Sequence, residues 1–229
     1  MKATLISFSK PTRQLYDQGL YDAQDLIAYC ARVSNPANQF NTATAEKLLE
    51  YLAKHKHWSP FEMVSACIEV ETTRDIGRQL LRHRSFSFQE FSQRYADPTK
   101  DLEMVLREPR LQDEKNRQNS VELDMTTDDG RRLAWMWEAQ QIKVRDAARE
   151  AYSWAIDNGI AKEQARAVLP EGLMMSRLQV NGTIRSWIHY IELRSGNGTQ
   201  KEHIQIAQAC AQAITQAFPM ISSYVESNT

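Results

Sequence analysis

The chain has 229 residues, enough for one substantial core or two small ones. Its 42% hydrophobic and 25% charged residues are ordinary for a globular protein. A net charge of −1 argues against general nucleic-acid binding, which needs a basic excess, so arginines must act locally.

Residues 2–8 predict a short strand. Asp22 to Arg32 and Thr44 to His55 predict helices, the second with Leu48, Leu49 and Leu52 on one side and Thr44 as its N-cap. From Phe61 to Glu71 the period changes: Val64, Ala66, Ile68 and Val70 alternate with Ser65, Cys67 and Glu69, the pattern of a strand. Thr72 or Thr73 would cap a helix that turns Ile76, Leu80 and Leu81 inward and delivers Gln79 and Arg82 at its end. Asp97 to Gly130 is polar and weakly periodic and reads as a variable loop region. Arg131 to Asn158 predicts a long helix with Leu133, Trp137, Val144, Ala148, Ala151 and Ile156 as its apolar face and Gly159 as its C-cap. Lys162 to Val168 predicts a short helix stopped by Pro170. Thr183 to Leu193 is helical, with Ile184, Trp187, Ile188 and Ile191 inward and Arg185, His189 and Glu192 along a polar stripe. A last helix spans Gln200 to Phe218. The expected fold is α+β: a single, mostly helical domain over residues 1–229 with few strands.

Cys30, Cys67 and Cys210 are far apart and odd in number, giving no disulfide or zinc framework. No apolar run reaches membrane-spanning length, and Met1 to Phe8 is too short and polar for a signal peptide, so the expectation is a cytoplasmic protein with no membrane partner. Of five histidines only His55 and His57 lie close, without a further ligand at metal spacing, so no metal site is expected.

The most informative stretch is Arg82-His83-Arg84, followed after seven intervening residues by Ser92, with Glu90 and Arg94 flanking the serine. Clustered cations repel unless an anion binds them, and arginine grips phosphate bidentately. No glycine-rich phosphate loop is present, so side chains would have to do that work. Ser92 lacks a nucleophile elbow and reads as a hydrogen-bonding group. A non-enzymatic nucleotide- or RNA-binding module, using the arginines with Phe86, Phe88, Phe91 and Tyr95, is the alternative reading.

Arg82-His83-Arg84-x7-Ser92-x-Arg94 resembles the signature of the flavin-dependent thymidylate synthases. Glu50 to Glu62, Cys30 to Ser34, Ala165 to Pro170, and Arg185 to Arg194 with Gln200 and Glu202 resemble further elements of that family in the same order. The resemblance implies a small, mainly antiparallel sheet and a homotetramer with sites shared between subunits. It implies conversion of dUMP to dTMP with methylenetetrahydrofolate as carbon donor and FAD reduced by NADPH. Carried over residue by residue, it puts Ser59, Arg82, His83, Arg84, Glu90, Arg185 and His189 at FAD, with His57 near the flavin and folate. Gln79, Arg82, Glu90, Ser92, Gln93, Arg94, Arg166 and Arg194 would surround dUMP, and Arg194 would be catalytic, favouring the ionised pyrimidine. The hard chemistry would be the cofactor's, so no protein nucleophile is needed. Where the family often has Asn, this chain has Thr183, with Asn181 two residues earlier, which leaves that FAD contact open.

Overall fold

The computed structural model describes residues 1–196 and 198–222. In chain order the elements are β1 (Lys2–Phe8), α1 (Arg13–Tyr16), α2 (Ala23–Ala31), α3 (Ala45–Lys54), β2 (Ser65–Thr73), α4 (Arg74–Leu80), β3 (Ser87–Glu90) and α5 (Pro98–Asp101). Then follow β4 (Arg110–Gln112), β5 (Ser120–Glu122), α6 (Asp128–Asp157), α7 (Lys162–Ala165), β6 (Met175–Thr183), α8 (Ile184–Ser195) and α9 (Lys201–Thr215). The architecture is α+β, with a four-stranded antiparallel sheet of order β1-β2-β6-β3 and a separate β4-β5 hairpin.

Alternation explains the sheet. In β2, Ala66, Ile68 and Val70 are buried; in β6, Leu178 and Val180 stand opposite Val70 and Ile68. These side chains meet Trp187 and Ile191 of α8 and Ile206 and Ile214 of α9 in one core that also takes in Ile27, Leu49 and Phe61. The Trp187 indole N–H is satisfied by the Ala66 carbonyl at 3.0 Å, so the largest core side chain buries no orphan donor.

The α2, α3, α8 and α9 expectations hold to within a residue or two at most boundaries. Others need correction. Four strands, β3, β4, β5 and β6, went unanticipated. The strand expected from Phe61 begins at Ser65, because Pro60 starts a 3-10 turn over Ser59–Met63. Thr44 and Thr73 occupy N-cap positions without capping: Thr44 Oγ1 accepts from Arg32 at 2.8 Å, and Thr73 Oγ1 donates to Asp75 at 2.6 Å.

The 97–130 segment is not structureless. It holds α5, the hairpin and the start of α6, and Arg107 and Arg110 pin it down: Arg107 reaches the Gly172 carbonyl at 2.8 Å, and Arg110 binds Glu202 at 2.7 Å. Most of the stripe expected to face the core on α6 is outside: Leu133, Trp137, Val144 and Ala151 are exposed, Ala148 is buried as expected, and Gln141, Tyr152 and Ala155 are buried instead. At 30 residues this helix runs roughly 45 Å, longer than the rest of the chain can cover.

Candidate functional site

The signature residues sit where α4 ends and β3 begins. The α4 helix stops at Leu80, and a tight turn carries Arg82 and His83, with the His83 N–H donating to the Leu80 carbonyl at 3.0 Å. Three groups of candidate residues result.

The first group forms between that turn and the end of α8. Arg194 Nε donates to His83 Nε2 at 3.0 Å, so the His83 proton must reside on Nδ1. Burial, then the positive charges of Arg194 and Arg82, push His83 down to about 4, so it is neutral at physiological pH. The ring stands edge-on to Tyr190, centroids 5.0 Å apart, and Phe86 packs on Trp187 at 4.5 Å. Behind them lies His203 of α9, fully buried and pushed down to about 3 by burial and then by Arg194, His83 and Arg82. Gln79 bridges His203 Nδ1 at 3.2 Å and Gln200 at 3.0 Å. The Tyr190 hydroxyl, Ser195 Oγ and His203 Nε2 are buried and have no hydrogen-bond partner.

The second group follows β3. Glu90 is held by Arg74 at 3.3 Å, by Arg78 at 3.2 Å and by the Ser176 hydroxyl at 3.1 Å. Burial lowers the Arg74 pKa despite Glu90 beside it, consistent with a pair set into the protein. Past Glu90 the chain leaves the sheet: the Tyr95 and Ala96 N–H groups both donate to the Ser92 carbonyl at 3.0 Å. Gln93 is 4% exposed with its side-chain nitrogen unpartnered. Ser92 and Arg94 line a cleft of about 410 Å³ with Tyr95, Ala161, Lys162 and Glu163, and Arg94 pairs with Glu163 at 3.0 Å. Arg166, in the 3-10 turn Arg166–Val168, is near enough to depress the Arg74 pKa further.

The third group surrounds the start of α8. Thr183 caps that helix, its Oγ1 accepting from the Ser186 N–H at 3.2 Å, while Asn181 is exposed on β6. Arg185 pairs with Glu62, and the His189 ring stands on Trp58 at 4.8 Å. Burial, then Arg185, lowers the His189 pKa. Ser59 and His57 are exposed. Lys56, between His55 and His57, adopts a left-handed backbone with φ 58, an uncommon conformation for a lysine.

The structure therefore joins Gln79, Arg82, His83 and Arg194 in one place, Glu90 to Arg94 in a second, and Ser59, Arg185 and His189 in a third. Arg185 and Arg194 share α8 and lie about 13 Å apart along its axis. Arg82, Arg84 and Arg166 make no ion pair among the described residues. Phe86 is buried and Phe88 and Phe91 are half-buried, so three of the four aromatics pack inward and do not form a base-stacking face. Sequence reasoning missed Arg74, Ser176, Arg107, Arg110, Tyr190 and His203, whose partners lie tens of residues away.

A family model described as thymidylate synthase complementing protein, Thy1, matches residues 16–220. The chain is 47% identical over 231 residues to the probable flavin-dependent thymidylate synthase of Paramecium bursaria Chlorella virus 1, covering 99% of both chains. It is 44% identical to the flavin-dependent thymidylate synthase of Synechocystis sp., covering 99% of this chain and all of that one. The fold matches that of a UMP/dUMP methylase, PolB, from Streptomyces cacaoi, solved with 5-Br dUMP, with a TM-score of 0.75 at 23% identity over 99% of this chain and 94% of that one.

Proposed function

The chain belongs to the thymidylate synthase complementing protein family, and from that premise we propose that it is a flavin-dependent thymidylate synthase converting dUMP to dTMP. What carries the reading is its likeness, over essentially its whole length, to two proteins of that name. The activity is a methyl transfer, and residues 1–229 form the one domain that performs it.

The residues fit an anionic flavin. Arg82 and Arg84 make no ion pair among the described residues, which leaves two cations for the phosphates of such a cofactor. FAD would be held by Ser59, Arg82, His83, Arg84, Glu90, Arg185 and His189, with His57 near it. When bound, FAD supplies the redox and one-carbon chemistry, with NADPH as reductant and methylenetetrahydrofolate as donor.

The chain's own residues bind and polarise. Neutral His83 takes the Nε–H of Arg194, and the two terminal guanidinium nitrogens have no hydrogen-bond partner among the described residues. That edge suits the N3/O2 side of a uracil ring, where it favours the ionised pyrimidine and a more nucleophilic C5. Gln79, Arg82, Glu90, Ser92, Gln93, Arg94 and Arg166 complete the dUMP site. Glu90 can approach an anionic ligand because Arg74 and Arg78 already neutralise it. Ser92 positions substrate.

Exposed Trp135, Met136, Trp137, Val144 and Trp154 on α6 support a homotetramer with sites shared between subunits. Free thiols support a cytoplasmic location, and no helix among the described residues is long and apolar enough to cross a membrane. The test is direct: the purified protein is yellow, NADPH bleaches it faster when dUMP is present, and adding methylenetetrahydrofolate yields dTMP. A colourless protein that gains nothing from added FAD overturns the assignment.

A further inference from the structure

We propose that His203 is a positioning residue that orients the Gln79 amide toward the nucleotide. The geometry is a directed chain of hydrogen bonds. Gln200 donates to Glu202 Oε2 at 2.9 Å, which turns Gln200 Oε1 toward Gln79; Gln79 Nε2 donates to that oxygen at 3.0 Å. Gln79 Oε1 must then accept, and the donor available to it is His203 Nδ1 at 3.2 Å. The imidazole is thereby fixed with its proton on Nδ1, and Nε2 is left as a buried lone pair without a partner.

That arrangement survives at physiological pH because the ring stays neutral. It is fully buried, Arg194 and Arg82 oppose a charge on it, and the Tyr190 ring is tilted against it with centroids 5.8 Å apart. The far end of the chain is equally fixed. Arg110 grips both oxygens of Glu202 at 2.7 and 2.8 Å, and Arg107 lies 3.5 Å from it. Burial would push the Glu202 carboxyl up, but the Arg110 and Gln200 bonds outweigh it and hold it below its usual range. A side-chain amide alone can flip by half a turn at little cost. Held between Gln200 and His203, Gln79 keeps one N–H and one carbonyl lone pair in fixed directions for a pyrimidine edge. The inference rests on Gln79 contacting dUMP, as proposed above.

The test uses the flavin-loaded protein and dUMP titration, with His203→Leu removing the donor and His203→Asn restoring one. We expect His203→Leu to weaken dUMP binding about 10-fold, the worth of one neutral hydrogen bond, with flavin content and thermal midpoint unchanged. His203→Asn should recover binding to within about 3-fold. Gln79→Leu should lose the same affinity, and adding His203→Leu to it should lose nothing more. Unchanged affinity in His203→Leu, or losses that multiply in the double variant, overturns the proposal. Wild-type protein that fails to bind dUMP overturns the function, and the relay is then decided separately. Nitrogen-15 spectra of the histidines must show His203 protonated on Nδ1 in the wild type, with mixed tautomers in Gln79→Leu; an Nε2–H tautomer in the wild type refutes it.

Discussion

Gly182→Ala measures how tightly the signature segment is seated on the sheet. A Cβ at Gly182 would overlap Cδ1 and Cε1 of the Phe86 ring, with Ser186 Cβ 3.4 Å away. Phe86 is 8% exposed and already lies against Trp187 and Tyr190, so the ring has no space to retreat inward. Regaining a carbon–carbon contact of ~3.5 Å moves the ring outward by about 1 Å. Overpacking of this kind costs about 1–3 kcal/mol. At roughly 2–4 °C per kcal/mol for a chain of this size, the melting temperature falls by roughly 2–12 °C. The shift also travels, because the Phe86 N–H donates to the His83 carbonyl at 3.2 Å. A misplacement of about 1 Å at a positioned group can cost on the order of 100-fold in rate. Differential scanning fluorimetry and a dTMP assay should both register Gly182→Ala, and Phe86→Leu in the same chain should relieve it, with a coupling of about 1 kcal/mol or more. An unchanged melting temperature, or a double variant no better than Gly182→Ala alone, refutes the steric argument.

Arg194→Ala should leave flavin content near wild type while dTMP formation falls on the order of 100- to 1000-fold; full activity would remove Arg194 from the chemistry. In the same variant the His83 pKa, followed by proton NMR, rises from about 4 but stays below 6.5, because burial is its main depressant. Stability should fall on acidification: His83 and His203 titrate at about 4 and about 3 when folded but near 6.5 when unfolded, so below pH 6.5 the unfolded chain binds protons that the folded one excludes. Each histidine contributes a slope approaching about 1.4 kcal/mol per pH unit in that window, and His203→Leu should flatten the profile of melting temperature against pH. Glu202→Gln removes the counter-charge that Arg107 and Arg110 share and should cost about 3–5 kcal/mol, seen in urea midpoints and as faster amide exchange over 110–122.

How far the sequence was legible depended on the range of the interaction involved. The α8 and α9 helices could be read because Ile184, Trp187, Ile188 and Ile191, or Ile206, Cys210 and Ile214, repeat at helical spacing and are buried by their own chain. The β6 strand could not: Ser176 and Gly182 share the inward row with Leu178 and Val180, which blurs the apolar contrast that marks a strand. On α6 the stripe through Leu133, Trp137 and Val144 is real, but periodicity reveals that a face is apolar without revealing what covers it. The site divides in the same way. Its cations and Ser92 stand out by spacing, whereas Arg74, Ser176 and His203 matter through partners that the fold alone brings near: Arg74 and Ser176 meet at Glu90, and His203 meets Gln79 from 124 positions away.

The strand order β1-β2-β6-β3 has a consequence for the chain as it leaves the ribosome. The signature segment is complete by Arg94, yet the strand that seats β3 runs from Met175 to Thr183, and the helix that packs Phe86 comes later still. At about 5–20 residues per second that gap lasts roughly 5–20 seconds, during which β2 presents an open edge and the arginines have no scaffold. A message broken before Met175 would therefore encode the whole motif in a product that cannot assemble it and is prone to stick to its neighbours.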